Sequence, residues 1–222
     1  MKYLLLRVFA FMILGGVAAG VIFGLAGRWD LWNVWAFIGL NVVLLSFVAL
    51  VEYRSNPDLL KEGSEPIAPG HVRWSRIPGM LTILQWIIAG LDQRFHWSTV
   101  IPASLILTGL VIFALSWGLG AWARSVNPFF SPTIRIQEER GQRVISAGPY
   151  AIVRHPGYVG FLLSLVGTSL ALNSLLSILS VFIAVPVIAQ MTVFEDRMLQ
   201  NGLAGYADYA AKVRYRLIPG IW

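Results

Sequence analysis

The residue types best suited to chemistry lie in two polar stretches of the C-terminal half. The first, residues 140–158, contains a Gly-Pro turn signal and then the run Arg154-His155-Pro156-Gly157. Proline near the first position starts a helix. Backbone N–H groups at a helix start have no partner within the helix, so they suit a ligand with a carboxylate or another acceptor group. These residues alone fit a ligand site and a plain turn with positively charged anchors equally well.

The second stretch begins with Glu195 and Asp196, at the end of the last long apolar segment. Acids at the end of a membrane helix are usually just solvated. Here, however, they are predicted to lie on the same membrane face as the run that starts at Arg154. An acid pair opposite basic and backbone-donor groups could hold a zwitterionic ligand, so the combination is more informative than either part.

Several other chemistries are excluded by residues that the sequence lacks. There is no cysteine, which removes disulfides, thiolate catalysis and zinc–sulfur sites. The three histidines, His71, His96 and His155, are scattered along the chain, so we predict no metal site. No phosphate-binding glycine-rich loop, HExxH, GxSxG or dinucleotide fingerprint occurs.

Composition places these stretches in a membrane protein. Of the 222 residues, 57% are apolar and only 13% are charged, whereas about a quarter of the residues of a soluble protein carry charge. The net charge of +6 fits basic cytoplasmic loops beside anionic lipid better than it fits a nucleic-acid partner. We therefore predict an all-α integral membrane protein with one membrane domain, residues 1–222, and the lipid bilayer as its partner.

Apolar periodicity predicts the helices that must position the two polar stretches. They span residues 4–26, 31–52, 77–92, 99–123, 157–172 and 174–194. About six of them cross the membrane, or five if 77–92 lies at the interface. Residues 1–123 form the N-terminal helices, and residues 124–222 form the half that contains both polar stretches. The tail after Glu195 is too polar to span and predicts a surface helix of roughly 15 residues, ended by Pro219.

The distribution of basic residues sets the predicted orientation. With six crossings and a cytoplasmic N-terminus, 15 of the 17 Lys and Arg residues lie inside and two lie outside, as the positive-inside rule requires. The inner set is Lys2, Arg7, Arg54, Lys61, Arg73, Arg76, Arg124, Arg135, Arg140, Arg143, Arg154, Arg197, Lys212, Arg214 and Arg216; the outer set is Arg28 and Arg94. Both termini are therefore predicted to be cytoplasmic, with the protein in the cell inner membrane if its source is bacterial.

Smaller signals refine this picture. Gly16, Gly20 and Gly24 recur every four residues and predict a face for close helix packing, within one subunit rather than between two. Asn173 is predicted to turn a tight hairpin between the last two membrane helices. Tryptophans anchor both interfaces: Trp29, Trp32 and Trp97 outside, and Trp74 inside.

Residues 127–222 resemble a known family. The residues that carry the resemblance are Gly148-Pro149-Tyr150, Arg154-His155-Pro156-Gly157-Tyr158, the helical hairpin after them, Glu195-Asp196, Tyr206, Tyr209 and the run 214–219. This pattern resembles the isoprenylcysteine carboxyl methyltransferases, and the related phospholipid N-methyltransferases share much of it. The resemblance implies a methyltransferase that uses S-adenosyl-L-methionine and acts on a lipid-like or small amphiphilic acceptor. It favours carboxyl O-methylation and leaves phospholipid N-methylation as the alternative.

The resemblance also implies that residues 124–222 form a cofactor-binding catalytic half with a cytoplasmic pocket, and it implies site residues by position. Arg154 and Glu195 would be catalytic. The cofactor-binding set would be Gln137, Gln142, Arg143, Val144, Ile145, Tyr150, His155, Pro156, Gly157, Tyr158 and Glu195. One position departs from the family: Met191 stands where a substrate-binding basic residue is usual, one helical turn before the acid pair. This departure puts the usual substrate in question but not the cofactor.

Two readings from other classes stay open at this stage, a non-catalytic membrane transporter or assembly protein and a membrane reductase with a nicotinamide cofactor. The methyl acceptor and the oligomeric state are likewise left open by the sequence.

Overall fold

The long apolar segments form helices because only a helix pairs its whole backbone within one segment in lipid. The computed structural model describes residues 1–55, 57, 76–131 and 133–222. Within these ranges the protein is helical and has no strand. Its helices are α1 (Lys2–Ala26), α2 (Trp32–Ser55), α3 (Arg76–Phe95), α4 (Ala103–Val126), α5 (Pro156–Ala171), α6 (Leu179–Gly202) and α7 (Tyr206–Lys212).

Helices are confirmed at all six places where the sequence predicts them. Their observed ends differ mostly by a few residues from the predicted ones, and α6 runs eight residues further, to Gly202. The hairpin at Asn173 is also confirmed: its φ is 52°, a left-handed value that asparagine tolerates, and its side-chain oxygen accepts a hydrogen bond from Ile101 N at 3.0 Å. The predicted tail helix of roughly 15 residues is wrong in length, since α7 has seven residues and the chain after it folds back onto the α5 turn.

The all-α integral membrane class is confirmed. In the described ranges, four helical segments are long and apolar enough to cross a bilayer: Lys2–Ala26, Trp32–Ser55, Ala103–Val126 and Leu176–Gly202. Pro156–Ala171 is apolar but shorter, and α3 is not among the four. Large side chains such as Leu115 and Phe182 point outward from these segments, as a lipid-facing surface requires. The number of crossings stays a prediction.

The tightest helix contact is the one between α4 and α5, and glycine makes it possible. A Cβ added to Gly109 would lie 2.5 Å from the backbone nitrogen of Ala171, and one on Gly167 would lie 2.6 Å from the backbone nitrogen of Phe113. Small residues let membrane helices approach until their backbones touch. This contact fixes α5, and with it the turn that begins at Arg154, against the rest of the bundle.

The packing face predicted for Gly16, Gly20 and Gly24 is wrong as a seam within the subunit. A Cβ on any of the three would meet nothing within 4 Å, and all three are exposed. The glycine of α1 that does pack is Gly15, where a Cβ would lie 2.8 Å from the Val42 side chain. The four-residue spacing places the three glycines on one face of α1, but the buried face of this helix contains Gly15, Ala18 and Ile22 instead.

Polar clusters hold the two ends of the bundle. At the predicted outer end, the buried Asp92 accepts hydrogen bonds from Ser98 Oγ and Ser174 Oγ, both at 2.5 Å. Trp29, Trp32 and Trp97 are exposed at this end, whereas Trp74 lies outside the described residues. At the other end, Glu52 lies between two arginines, 3.2 Å from Arg124 Nε and 3.5 Å from Arg7 Nη2.

The α4–α5 contact predicts a contrast between two glycine substitutions. Gly167→Ala should lower the free energy of unfolding by about 1–3 kcal/mol, because the new methyl group would press on backbone atoms that cannot move aside. Gly20→Ala should leave it unchanged or raise it by roughly 0.5–1 kcal/mol, because alanine suits an exposed helix position better than glycine. Thermal unfolding of both variants in one detergent measures the difference, and equal stability would contradict the described contact.

Candidate functional site

A cavity of about 520 Å³ opens among α1–α6 and the loop before α5. This volume lies within the usual range for small-molecule and cofactor sites, about 300–1,000 Å³. All the site residues predicted from the sequence line it: Gln137, Gln142, Arg143, Val144, Ile145, Tyr150, Arg154, His155, Pro156, Gly157, Tyr158, Met191 and Glu195. The structure therefore brings the full predicted set together, while the role of each residue stays a prediction.

The start of α5 is held in place by the C-terminal segment of the chain. His155 precedes the helix and Pro156 occupies its first turn, as the sequence pattern predicts. The backbone N–H groups of Arg154 and His155 donate to the carbonyl oxygens of Tyr215 and Arg216, both at 3.0 Å. These two bonds tie the helix start to the tail, so the tail forms part of the wall that positions the site.

The two predicted acids differ in their surroundings, although His155 lies near both, with its Nε2 atom 3.5 Å from Asp196 and its Nδ1 atom 3.7 Å from Glu195. Asp196 is fully buried and surrounded by donors: Arg216 Nε lies 3.0 Å away, Arg154 Nη2 3.1 Å and Tyr206 Oη 2.9 Å. A buried carboxylate persists only when it is paired and hydrogen-bonded in this way. Asp196 thus joins α5, α6, α7 and the tail and has little capacity left for a ligand. The acid pair does not act as a unit.

Glu195 is the carboxylate that faces the cavity. Its side chain keeps 27% exposure, Tyr158 Oη donates to it at 2.8 Å, and His155 Nδ1 lies 3.7 Å away. The rings of His155 and Tyr158 stack with their centroids 5.9 Å apart, which fixes both donors against the carboxylate. Glu195 is therefore anchored on one side and open on the other, as a group that meets a positively charged ligand must be.

Arg154, predicted as catalytic, is directed mainly into the protein. Its side chain is 6% exposed, and its guanidinium pairs with Asp196 and donates to the carbonyl oxygen of Ala210 at 3.3 Å. These contacts make it a group that positions the helix start and the tail.

The loop before α5 forms another wall of the cavity. Gln137 is buried, and its side chain is used within the loop: Nε2 donates to Phe129 O and Oε1 accepts from Arg140, both at 2.6 Å. Gln142 closes the loop by accepting from Gln137 N at 2.6 Å. The loop thus has a fixed shape, and Val144 and Ile145 follow it along the cavity.

Tyr150 presents a neutral hydroxyl at the cavity wall. Burial raises the pKa of Tyr150 to about 12, and the nearby Glu195 acts in the same direction. Asn127 Nδ2 donates to the hydroxyl at 3.1 Å, and Tyr209 Oη donates to the Tyr150 carbonyl oxygen at 2.7 Å. Because Asn127 occupies an acceptor position, the phenolic proton remains available to a ligand.

Sequence reasoning missed the contribution of Arg124 and of Arg216. Arg124 lines the cavity from α4, pairs with Glu52, and lies over the Phe130 ring at 4.6 Å. The available signal was an arginine and a glutamate near the same predicted membrane face, at the ends of two apolar helices. No local sequence pattern pointed to Arg216, since only the folding of the tail brings it to Asp196.

Among the described residues, no group of three or more histidines and carboxylates could hold a metal.

The different surroundings of the two acids predict different consequences for stability. Asp196→Asn should destabilise the protein by about 3–5 kcal/mol, because it leaves buried cationic partners without their counter-charge. Glu195→Gln should cost about 1 kcal/mol or less, because the amide oxygen can still accept from Tyr158 and the site is partly exposed. Thermal unfolding in a common detergent measures both; a loss for Glu195→Gln as large as that for Asp196→Asn would refute the division of roles.

Comparison with known proteins gives matches over the part of the chain that holds most of the site. Residues 97–204 match the family model described as phospholipid methyltransferase. A "Probable protein-S-isoprenylcysteine O-methyltransferase" of Oryza sativa subsp. indica is 34% identical over 86 residues, which cover 38% of this chain and 45% of that protein. "Protein-S-isoprenylcysteine O-methyltransferase B" of Arabidopsis thaliana is 31% identical over 86 residues, 38% of this chain and 44% of that protein. The matched region thus spans less than half the length of these relatives. The resemblance predicted from the motifs is confirmed over part of the chain: residues 97–204 match the phospholipid methyltransferase model, and a stretch of 86 residues is similar to proteins named isoprenylcysteine O-methyltransferases.

Proposed function

We propose that this chain is a membrane methyltransferase that transfers the methyl group of S-adenosyl-L-methionine to a lipid-like or small amphiphilic acceptor. The observation that carries the proposal is the shape of the cavity. Its polar end gathers Glu195, His155 and Tyr158, and the same cavity continues between apolar helices to Phe37 and Phe113. A polar cofactor and an apolar acceptor could then meet in one space that excludes water.

The residues at the polar end fit the proposed cofactor. When bound, S-adenosyl-L-methionine supplies a methyl group on a positively charged sulfur. Glu195 offers a partly exposed carboxylate to the positive charges of such a ligand, and Tyr150 offers a neutral hydroxyl. Gly157 lets the Phe130 ring pack closely against the start of α5, since a Cβ there would lie 3.2 Å from that ring. The predicted cofactor-binding residues are proposed on these grounds.

The chemistry requires little proton transfer from the protein. An acceptor that is already a carboxylate or a free amine can attack directly, so no catalytic triad is needed. The protein residues then act by positioning and by excluding water, and good orientation can contribute roughly 7–11 kcal/mol to lowering the barrier. The bonds between the tail and the α5 turn, together with the ion pairs at Asp196, would provide that fixed geometry.

We further propose that the polar end of the cavity faces the cytoplasm and that both termini lie there. The cofactor is made in the cytosol, and the distribution of basic residues places the loop before α5 on that side. The acceptor would then enter sideways from the bilayer.

Two acceptor chemistries are supported by different observations. The relatives named as isoprenylcysteine O-methyltransferases favour a carboxylate, which would give a methyl ester. The family description as phospholipid methyltransferase favours an amine, which would give an N-methyl group.

Membranes that contain the protein should transfer label from methyl-labelled S-adenosyl-L-methionine to a lipid-extractable product. Mild base will release the label as methanol if the product is an ester and will leave it in place if the product is an N-methyl group.

Glu195→Ala should weaken binding of S-adenosylhomocysteine, measured by calorimetry, by about 1.5–3 kcal/mol, because it removes a charge-assisted hydrogen bond.

The matched control is Glu138→Ala, which removes an exposed acid of the loop that does not line the cavity and should leave the affinity unchanged. Wild-type protein that neither binds S-adenosylhomocysteine nor labels any lipid would overturn the proposal and would favour a transporter or an assembly protein.

Met191 is proposed to define how the acceptor is held. It is only 2% exposed, packs against Ile188 and Leu217, and lines the cavity, so it does not face lipid. It precedes Glu195 by four residues and therefore shares its helix face. Methionine offers a polarizable apolar surface where the family has a basic residue, so the acceptor makes apolar contact here in place of an ion pair.

Met191→Arg should reduce turnover of the natural acceptor at least tenfold while cofactor affinity stays nearly unchanged, because a buried cation replaces an apolar contact. Met191→Leu conserves volume and apolarity, so turnover should change little. Initial rates of both variants, with calorimetric affinity for S-adenosylhomocysteine, check this. Equal turnover by wild type and Met191→Arg, or a strong wild-type requirement for the free carboxylate of a prenylcysteine, would defeat it.

A further inference from the structure

The part of the cavity remote from Glu195 is not uniformly apolar. Cavity-lining residues continue along α5 from Tyr158 to Thr168, ten positions and therefore about 15 Å of helix. Most of the lining there is apolar, as in Phe161 and Leu165, but side chains with hydrogen-bonding groups also line this cavity, among them Gln85 and Trp86 from α3 and Trp117 from α4.

Gln85 presents an acceptor atom that the protein leaves unpaired. Its side chain is 0% exposed, and its Nε2 atom donates to Leu165 O at 2.7 Å and to Ser169 Oγ at 2.8 Å. These bonds fix the amide, yet its buried Oε1 atom has no hydrogen-bond partner in the described part of the chain. A buried acceptor without a partner is costly, and hydrocarbon lipid cannot supply one.

Two tryptophans present hydrogen-bond donors that are likewise unpaired. The indole Nε1 atoms of Trp86 and Trp117 are buried and make no hydrogen bond to any described residue. Both rings border the same apolar cluster, where Trp117 meets Phe113 edge-on with centroids 6.3 Å apart. A buried indole N–H normally finds an acceptor. The cavity thus carries one unpaired acceptor and two unpaired donors, all beyond the polar end that holds Glu195.

We propose that Gln85, Trp86 and Trp117 form a specificity site for a hydroxyl group in the apolar tail of the methyl acceptor. The proposal rests on the proposed function, because it assigns the remote part of the cavity to the acceptor. A hydroxyl donates one hydrogen bond and accepts others, so it can serve Gln85 Oε1 and an indole N–H at once. A plain hydrocarbon tail would leave all three groups unpaired, and a carbonyl group would leave Gln85 Oε1 unpaired.

The site therefore selects against a plain hydrocarbon tail of equal length. Rejection of an analogue that lacks a hydrogen-bonding group is the strong form of specificity, because the buried polar groups are then left without partners. The acceptor class assigned here is an amphiphile with a methyl-accepting head and a hydroxylated tail.

Calorimetric titration of the purified protein tests the site without any methyl transfer. The probes are dodecanoic acid, three hydroxydodecanoic acids with the hydroxyl near the middle, further along and at the end of the chain, and the corresponding keto acids. Each probe is also titrated into empty micelles as a blank. At least one hydroxy acid should bind about tenfold more tightly than dodecanoic acid and than its keto counterpart, the size expected for one well-placed hydrogen bond.

Gln85→Leu should abolish this preference. Gln93→Leu is the matched control, because Gln93 lies on the same helix and its amide nitrogen also donates two hydrogen bonds, to the carbonyl oxygens of Leu172 and Asn173, but it does not line the cavity. Gln93→Leu should keep the preference. If Gln85→Leu fails to fold, Trp86→Phe and Trp117→Phe remove the indole N–H and keep a smaller aromatic ring in its place, and at least one of them should reduce the preference for the hydroxy acid severalfold.

Equal binding of plain and hydroxylated acids by the wild type would overturn the proposal and would mean that ordered water satisfies the three groups. An unchanged preference in Gln85→Leu and in both tryptophan variants would also overturn it. Binding of S-adenosylhomocysteine is measured separately. Protein that binds S-adenosylhomocysteine but does not distinguish the acids contradicts this inference alone, whereas protein that distinguishes the acids but does not bind S-adenosylhomocysteine contradicts the proposed function.

Discussion

The buried carboxylate of Asp196 is the interaction on which the geometry of the site depends. It draws together an arginine from the turn before α5, a tyrosine from α7 and an arginine from the tail. These elements are separated along the sequence, and the common counter-charge joins them beside the apolar clusters around Leu217 and Tyr206. With that charge in place, the backbone of the turn can bond to the tail, and Glu195 is left on the open side of the same helix.

Two adjacent acids therefore have different tasks: the charge of Asp196 holds the fold together, and the charge of Glu195 is available to a ligand. On a helix, neighbouring side chains point about 100° apart, so one acid can face the protein while the next faces a cavity. The enclosed acid has its hydrogen-bonding capacity filled, whereas the open acid keeps part of its surface accessible. A similar division occurs at α3, where the Gln85 amide nitrogen bonds within the protein and its oxygen has no partner among the described residues.

The sequence was enough to predict the helices and to predict which residues line the cavity. It was not enough to predict which of those side chains hold the fold together and which face a ligand. Long apolar runs determine helix positions in a membrane because no other structure pairs their backbone, and the motif around His155 identifies one cavity wall. Local spacing was insufficient in two respects. It could not show that Asp196 is enclosed, since Arg216 and Tyr206 reach it only through the fold of the tail. It also assigned packing to Gly16, Gly20 and Gly24, although the close contact is made by Gly109 and Gly167.

The glycine contact between α4 and α5 has a mechanical consequence. Where two backbones touch, no side chain between them can change rotamer to let the helices part, so these helices behave as one rigid plate. The cavity borders that plate on one side and α1, α2 and α3 on the other, where larger side chains such as Phe37, Leu45 and Trp86 form the wall. Any widening of the cavity must therefore come from its other walls, which are the N-terminal helices, α6 and the loop before α5, while α4 and α5 move together.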